Sequence, residues 1–286
     1  MKRIKQGVFF ETGYSGGTVG AILCSGQTIL VDAPLKPEDG RMWLAELRKA
    51  GASQNRLVVN LDPHPDRTLG TQTLDAQVLA HRETGRQFRR RATIFKALKQ
   101  ESGSEWEETS GLSGLRWIMP KVTFSEHTVL HFDERELRVE YHPGPSPGSC
   151  WLVLPKEKIV FVGDAVVPDQ PPFLAQANIP SWLGTLDHLA SREFRGYTII
   201  SGRGGRVGTK EINQQRRVLK EVSTSLKKLS KLKKPGPEID WLAGKLTGKY
   251  KLPPRRRSLF SQRIKYGLHN YFARHYQSGG KFLNNH

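Results

Sequence analysis

Cysteine is scarce: the 286-residue chain has two, Cys24 and Cys150. They form no CxxC pair and no disulfide framework, so they are expected as two small buried hydrophobes in a reducing, cytoplasmic setting. Long apolar runs are missing as well. No stretch approaches the ~18 uninterrupted apolar residues of a membrane-spanning helix. A cleaved leader is not expected, because the apolar run after Met1-Lys2-Arg3-Ile4-Lys5 is soon broken by glycines and Glu11. Acid is short: 27 Asp and Glu stand against 45 Lys and Arg, a net charge of +18. The chain also has no internal repeat and no strict low-complexity tract. Hydrophobic residues make up 37% and charged residues 25%, which excludes global disorder and suffices for a real core. At about 150 residues per domain, the length allows one large domain or two small ones.

The basic excess is uneven. Residues 209–286 hold 19 Lys and Arg against 4 Asp and Glu, whereas residues 1–208 hold 26 against 23. A near-neutral body is therefore followed by a cationic C-terminal extension, and any partner chosen by charge belongs to the extension.

The body reads mainly as strands. Residues 7–12, 17–25 and 28–33 are short β-rich runs between Gly and Ser turns, and Ile29-Leu30-Val31 ends in Asp32. Residues 42–50 carry Trp43, Leu44 and Leu47 at helical spacing before Gly51. Residues 56–60 form another strand, stopped by Leu61-Asp62-Pro63-His64-Pro65-Asp66, where two prolines forbid regular structure. The stretch 71–120 reads as helical and polar, with a basic group of Arg86, Arg89, Arg90, Arg91 and Lys96 near Phe88 and Phe95. Residues 103–114 read as a mobile loop. Strand patterning returns at 128–132, 137–141, 150–154, 159–162 and 197–200. Residues 182–189 and 210–233 read as helices.

Three polar groups stand at predicted strand ends: Asp62-x-His64-x-Asp66-Arg67, the run His142-Pro143-Gly144-Pro145-Ser146-Pro147-Gly148-Ser149, and Gly163-Asp164. Carboxylates and imidazoles on loops after separate strands suit a hard or borderline metal, since a rigid sheet makes such loops converge. Taken singly, each is a common turn former or a hydrogen-bonded histidine. A fourth segment, Gly202-Arg203-Gly204-Gly205-Arg206-Val207-Gly208, lacks both the GxGxxG spacing and the Lys-Ser/Thr ending of nucleotide loops.

In this order and spacing, the motifs at 62–67, 142–149, 161–164 and 201–204 resemble those of the metallo-β-lactamase superfamily. The likeness covers about residues 7–208, with a helical insertion at about 80–120. It implies an α+β, four-layer αβ/βα sandwich, here followed by a basic helical extension. The family pattern assigns one metal to the positions of Asp62, His64 and His142. It assigns a second to those of Asp66, Arg67 and Arg203, and makes Asp164 the bridge. Three of the family's five histidines are thus replaced, one by Asp and two by Arg. Asp62, His64, His142 and Asp164 can still supply ligands for one Zn²⁺, Fe²⁺ or Mn²⁺ ion. Arginine has no lone pair to donate and stays protonated. Arg67 and Arg203 are therefore expected beside Asp66 and Asp164, in place of the missing cation.

Two functions follow. One is a hydrolase with at most one metal, in which Asp66, Arg67 and Arg203 meet an anionic or other small-molecule substrate. The other is an inactive binding module for nucleic acid or another polyanion. In the extension, Leu259/Phe260, Arg263/Ile264, Gly267/Leu268, Tyr271/Phe272 and His275/Tyr276 recur every four residues, an amphipathic helix with one aromatic-aliphatic stripe. That stripe is expected to dock on the body or close a homodimer. Arg255, Arg256, Arg257, Arg263 and Lys265 are the candidate contacts to nucleic acid or an anionic surface.

Overall fold

Residue alternation builds the layers. In Cys150–Leu154 every side chain is buried. Cys150, Leu152 and Leu154 belong to one apolar cluster, and Trp151 and Val153 to another. A strand apolar on both faces must be covered on both.

The structure, a computed structural model, describes residues 1–90, 102–132 and 135–277. The first sheet is ordered as in the chain: β1 (Lys2–Lys5), β2 (Val8–Glu11), β3 (Val19–Cys24), β4 (Gln27–Val31), β5 (Arg56–Asn60), β6 (Gln77–His81) and β7 (Val122–Phe124). It is antiparallel from β1 to β4 and parallel from β4 to β7. The second sheet comprises β8 (His127–Phe132), β9 (Arg135–Tyr141), β10 (Cys150–Leu154), β11 (Ile159–Phe161), β12 (Thr198–Ser201) and β13 (Gly205–Val207). Its one parallel pair is β11 with β12.

The helices form the outer layers. Trp43 and Leu47 of α1 (Pro37–Lys49) cover Leu30, Val58 and Val78 behind the first sheet. Three shorter helices follow: α2 (Pro65–Thr68), α3 (Arg82–Arg90) and α4 (Glu105–Glu108). Behind the second sheet lie α5 (Ile179–Leu189), α6 (Thr209–Leu229), α7 (Gly236–Thr247) and α8 (Pro254–Phe272). Their Trp182, Leu219, Leu242 and Leu268 share one cluster with Trp151 and Val160. Between the sheets, Ile22, Ile29 and Val59 meet Leu137, Leu152 and Phe161. The fold is the expected α+β four-layer sandwich. The stripe of α8 packs on the body, with Leu259, Phe260, Ile264, Leu268, Tyr271 and Phe272 all buried.

The structure differs from the sequence reading at three places. The segment read as helical after residue 71 contains strand β6, parallel to β5. The basic helix ends at Leu229, and α7 begins at the Pro235-Gly236-Pro237 breaker, because a proline in the first helical turn has no missing partner there. Residues 103–114 are tied down rather than free. Ser104 and Glu107 form a capping box on α4, and Leu112 is buried. Arg91 and Lys96 of the basic group, together with Phe95, lie outside the described residues.

Candidate functional site

The site forms where β4, β5, β11 and β12 end. After β5, the two prolines force a tight turn. Asp62 Oδ1 accepts the His64 N–H at 2.8 Å, and His64 Nδ1 accepts the Asp66 N–H at 3.2 Å. Pro65 then opens α2, whose single turn presents Asp66 and Arg67 inward. Asp164 sits in the 3₁₀ turn after β11. Arg203 sits between β12 and β13, and Asp32 follows β4.

Arg67 is fully buried and faces three carboxylates. Its Nη1 donates to Asp164 Oδ1 at 2.7 Å, its Nη2 to Asp62 Oδ2, and its Nε lies 3.4 Å from Asp32 Oδ2. The guanidinium fits because residue 202 is glycine: a Cβ there would lie 1.9 Å from Arg67 Nη1. Arg203, 2% exposed, serves the other side. Its Nε donates to Asp164 at 3.2 Å, its Nη2 to Asp66 Oδ2 at 3.1 Å and its Nη1 to the Gly16 carbonyl at 3.2 Å. Asp164 is thus held between both arginines, where the expectation of a replaced cation put it.

Asp66 has further partners that the sequence did not disclose. The backbone N–H groups of Glu105 and Trp106, at the start of α4, donate to its carboxylate at 3.2 and 2.8 Å. Glu105 itself reaches Arg203 at 4.0 Å and Arg256 at 2.9 Å. Asp32, Glu105 and Phe173 are therefore site residues that the motif reading missed. Asp32 carried a signal, since it follows a buried strand just as Asp164 does. Phe173 carried none. Its ring takes the Arg263 guanidinium at 3.9 Å and that of Arg203 at 4.6 Å, and packs against His64 at 4.2 Å.

Electrostatics divides the carboxylates. Burial works against ionising Asp164, but Arg203 and Arg67 overcome it and hold its carboxyl well below the usual range. At Asp62 and Asp66 burial outweighs the arginines, and both carboxyls are raised. Burial pushes Asp32 up to about 7 despite Arg67. Asp32 has only the long Arg67 contact at its Oδ2, which offsets little of that burial. His64 is held neutral, by burial first and by Arg203 next. Two donors approach its Nδ1, the Asp66 N–H and Arg203 Nη2 at 3.3 Å, so its proton is on Nε2.

A divalent metal does not fit this donor set. The carboxylates meant to bind it already accept from guanidiniums, and His64 Nδ1 accepts from Arg203 and the Asp66 backbone. Asp62, Asp164 and His64 do lie around the two arginines. His142 keeps different company: it stacks on Trp151 at 3.6 Å and pairs with Glu140 at 3.2 Å. Among the described residues, no group of three or more His, Cys, Asp or Glu is arranged to hold a metal ion. Of the expected quartet of Asp62, His64, His142 and Asp164, the structure places Arg67 between Asp62 and Asp164 and leaves His142 against Trp151.

The expected polyanion contacts also separate. Arg263 is 1% exposed, donating to the Gly103 carbonyl at 2.9 Å and to Gln170 at 2.8 Å. It is a strut inside the site rather than a surface cation, since its position falls within the buried stripe of α8. Arg256 is engaged by Glu105, and Lys265 bonds Asp240 at 2.9 Å. Arg255 and Arg257 are exposed. Beside the cluster opens a polar cleft of about 230 Å³, lined by Tyr14, Ser15, Glu105, Gln170, Arg203 and Arg256 among others. Neither cysteine forms a disulfide; Cys150 is buried and Cys24 half-buried. Among the described residues, no helix is long and apolar enough to cross a membrane.

Comparison with known proteins agrees with this geometry. The chain is similar to a metallo-beta-lactamase from Pontibacter korlensis, with TM-score 0.62, 16% identity, 77% of this chain covered and 97% of that one. It is also similar to a metallo-beta-lactamase family protein from Thermus thermophilus, with TM-score 0.60, 19% identity and coverage of 92% and 93%. At such identities the likeness is one of fold. A search of curated proteins found no match. The family model described as the metallo-beta-lactamase superfamily matches residues 17–239. With that match across most of the sandwich, and the motif loops meeting at one sheet edge, the chain belongs to the metallo-beta-lactamase superfamily.

Proposed function

We propose that this chain is a binding member of its superfamily that works without a metal centre and holds a polyanion on its basic C-terminal helices. Superfamily members usually bind a metal such as zinc. The observation that carries the proposal is Arg67, whose guanidinium bridges Asp62 and Asp164 and takes the oxygens a metal would need. A buried guanidinium supplies fixed charge and forked hydrogen bonds. It cannot generate a bound hydroxide as a metal does. His64 adds no base, because its one lone pair at Nδ1 is already engaged and Nε2 carries the proton. A hydrolase with one Zn, Fe or Mn ion needs Asp62, His64, His142 and Asp164 together, and His142 is stacked on Trp151 instead.

What remains is a rigid sandwich with cationic outer helices. Lys and Arg neutralise phosphate or carboxylate without reading sequence, and such binding weakens steeply with salt. The test uses purified full-length protein. Metal analysis should find much less than one equivalent of Zn, Fe or Mn, ester and phosphodiester substrates should not turn over, and heparin should be retained at low salt and released by roughly 0.5 M salt. About one equivalent of metal, with turnover lost in His64→Ala, would overturn the proposal.

A further inference from the structure

A run of exposed lysines lies where α6 passes into α7. Lys227, Lys228, Lys231, Lys233 and Lys234 are all exposed, with no acidic residue among positions 227–234. Two large apolar side chains are exposed in the same region, Leu232 at 45% and Trp241 at 69%. An exposed tryptophan on a well-packed helix calls for a reason. Its neighbours Ile239, Leu242 and Ala243 are buried in the core, so helix period turns residue 241 outward.

Trp241 shares its side of the corner with lysines of both helices. Glu221 of α6 pairs with Lys245 at 3.1 Å, in the last turn of α7, and with Lys249 just beyond it. The helices therefore run antiparallel after a short turn, with Trp241 one helical turn nearer the corner than Lys245. Lys245 Nζ lies over the Trp241 ring at 5.7 Å. Lys228 follows Glu221 by two turns of α6, toward the same corner and on the same side. Glu238 is an exposed acid at the start of α7, and Asp240 is engaged by Lys265.

We infer that this α6–α7 corner docks on an anionic phospholipid surface, with Trp241 and Leu232 entering the interface and the lysines pairing with headgroups. The inference rests on the polyanion-binding reading and names its partner. An exposed helix corner can meet a plane, whereas a single-stranded nucleic acid needs a groove with stacked bases. Exposed leucine has no role on a phosphodiester backbone but gains from a lipid boundary, and tryptophan prefers that depth. Lysine stems lie along apolar surface while their ammonium groups reach the headgroups.

The experiment is flotation of the full-length protein with vesicles of phosphatidylcholine alone, or with about one third phosphatidylserine. Binding is expected only to the second, and weaker at high salt. Each lysine near an anionic surface is worth about fivefold in affinity, so Lys231→Ser/Lys233→Ser/Lys234→Ser should lower it about 100-fold. Trp241→Ser should weaken binding while leaving the lysines in place, and none of these exposed changes should alter the melting temperature. Equal binding to both vesicle types, or unchanged binding of the Trp241 and lysine variants, overturns the inference. Binding of RNA or heparin without vesicle binding overturns the lipid assignment and leaves the polyanion-binding reading standing. Binding to none of these probes overturns both.

Discussion

Removal of Arg203 is the most informative perturbation. In Arg203→Ala, Asp66 loses its 3.1 Å partner and Asp164 loses a 3.2 Å one, both in a region closed to water. Breaking a buried pair by deleting one member typically costs ~3–5 kcal/mol, because the other charge is stranded. Two features place this case near the lower end. Asp164 keeps Arg67 at 2.7 Å, and Asp66 keeps the N–H groups of Glu105 and Trp106. A loss of about 3 kcal/mol, at ~2–4 °C per kcal/mol for a protein near this size, lowers Tm by roughly 6–12 °C. The loss should shrink at pH 5, where Asp66, whose carboxyl is already raised by burial, escapes by taking a proton. Urea denaturation and thermal melting at pH 8 and pH 5 provide the measurement, with Arg203→Lys as a variant that keeps the charge without the fork. A loss below about 1 kcal/mol at pH 8 would refute the view that this guanidinium neutralises buried carboxylates.

Three further outcomes are expected. Gly202→Ala puts a Cβ 1.9 Å from Arg67 Nη1, so it should destabilise by more than about 2 kcal/mol in urea denaturation; an unchanged midpoint means Arg67 does not lie there. Because burial raises Asp32 to about 7, the folded protein holds a proton that the unfolded chain releases near pH ~4. Its contribution to stability is full below ~4 and is lost as pH rises to about 7, by up to about 1 kcal/mol per pH unit. Asp32→Asn should flatten that slope, and an identical slope in the variant would remove Asp32 from the account. Finally, Arg67→His/Arg203→His returns two imidazoles to Asp66 and Asp164 and should gain about one equivalent of zinc by calorimetry, with circular dichroism confirming the fold. No zinc uptake by a folded variant would show that the arginines do not stand in for a metal.

The inner strands were legible because they alternate or are wholly apolar, as at Ile29-Leu30-Val31 and Cys150–Leu154, while their arrangement as a sandwich came from the family resemblance. The polar strand ends were legible for the same reason, since the first charged residue after a buried run marks the sheet edge. The arginine cluster could be foreseen once the family resemblance had brought Asp66, Arg67, Arg203 and Asp164 to one site, since two carboxylates without imidazoles require another cation. Other parts had no local signal. β6 is five residues inside a polar stretch, and its pairing with β5 and β7 is a tertiary choice. β1 reads Lys-Arg-Ile-Lys and is a strand because it is an edge, where lysines are tolerated and discourage further pairing. Arg263 was read as a surface cation because arginine is rarely buried. Only Phe173, Gly103 and Gln170, far away in sequence, make its burial tenable.

The cluster also sets an order of assembly. Arg203 joins Gly16, 187 positions before it, and Arg263 joins Gly103, 160 positions before it. Contacts so distant in sequence form late, after the loops between them have closed. On a ribosome, Asp32, Asp62 and Asp66 emerge with only Arg67 beside them, well before the chain reaches Arg203 and α8. The first sheet must therefore remain incompletely closed, its carboxylates in contact with water, until the last third of the chain has been made. A chain that stops short of residue 203 should therefore keep Asp32, Asp62 and Asp66 open to water rather than packed.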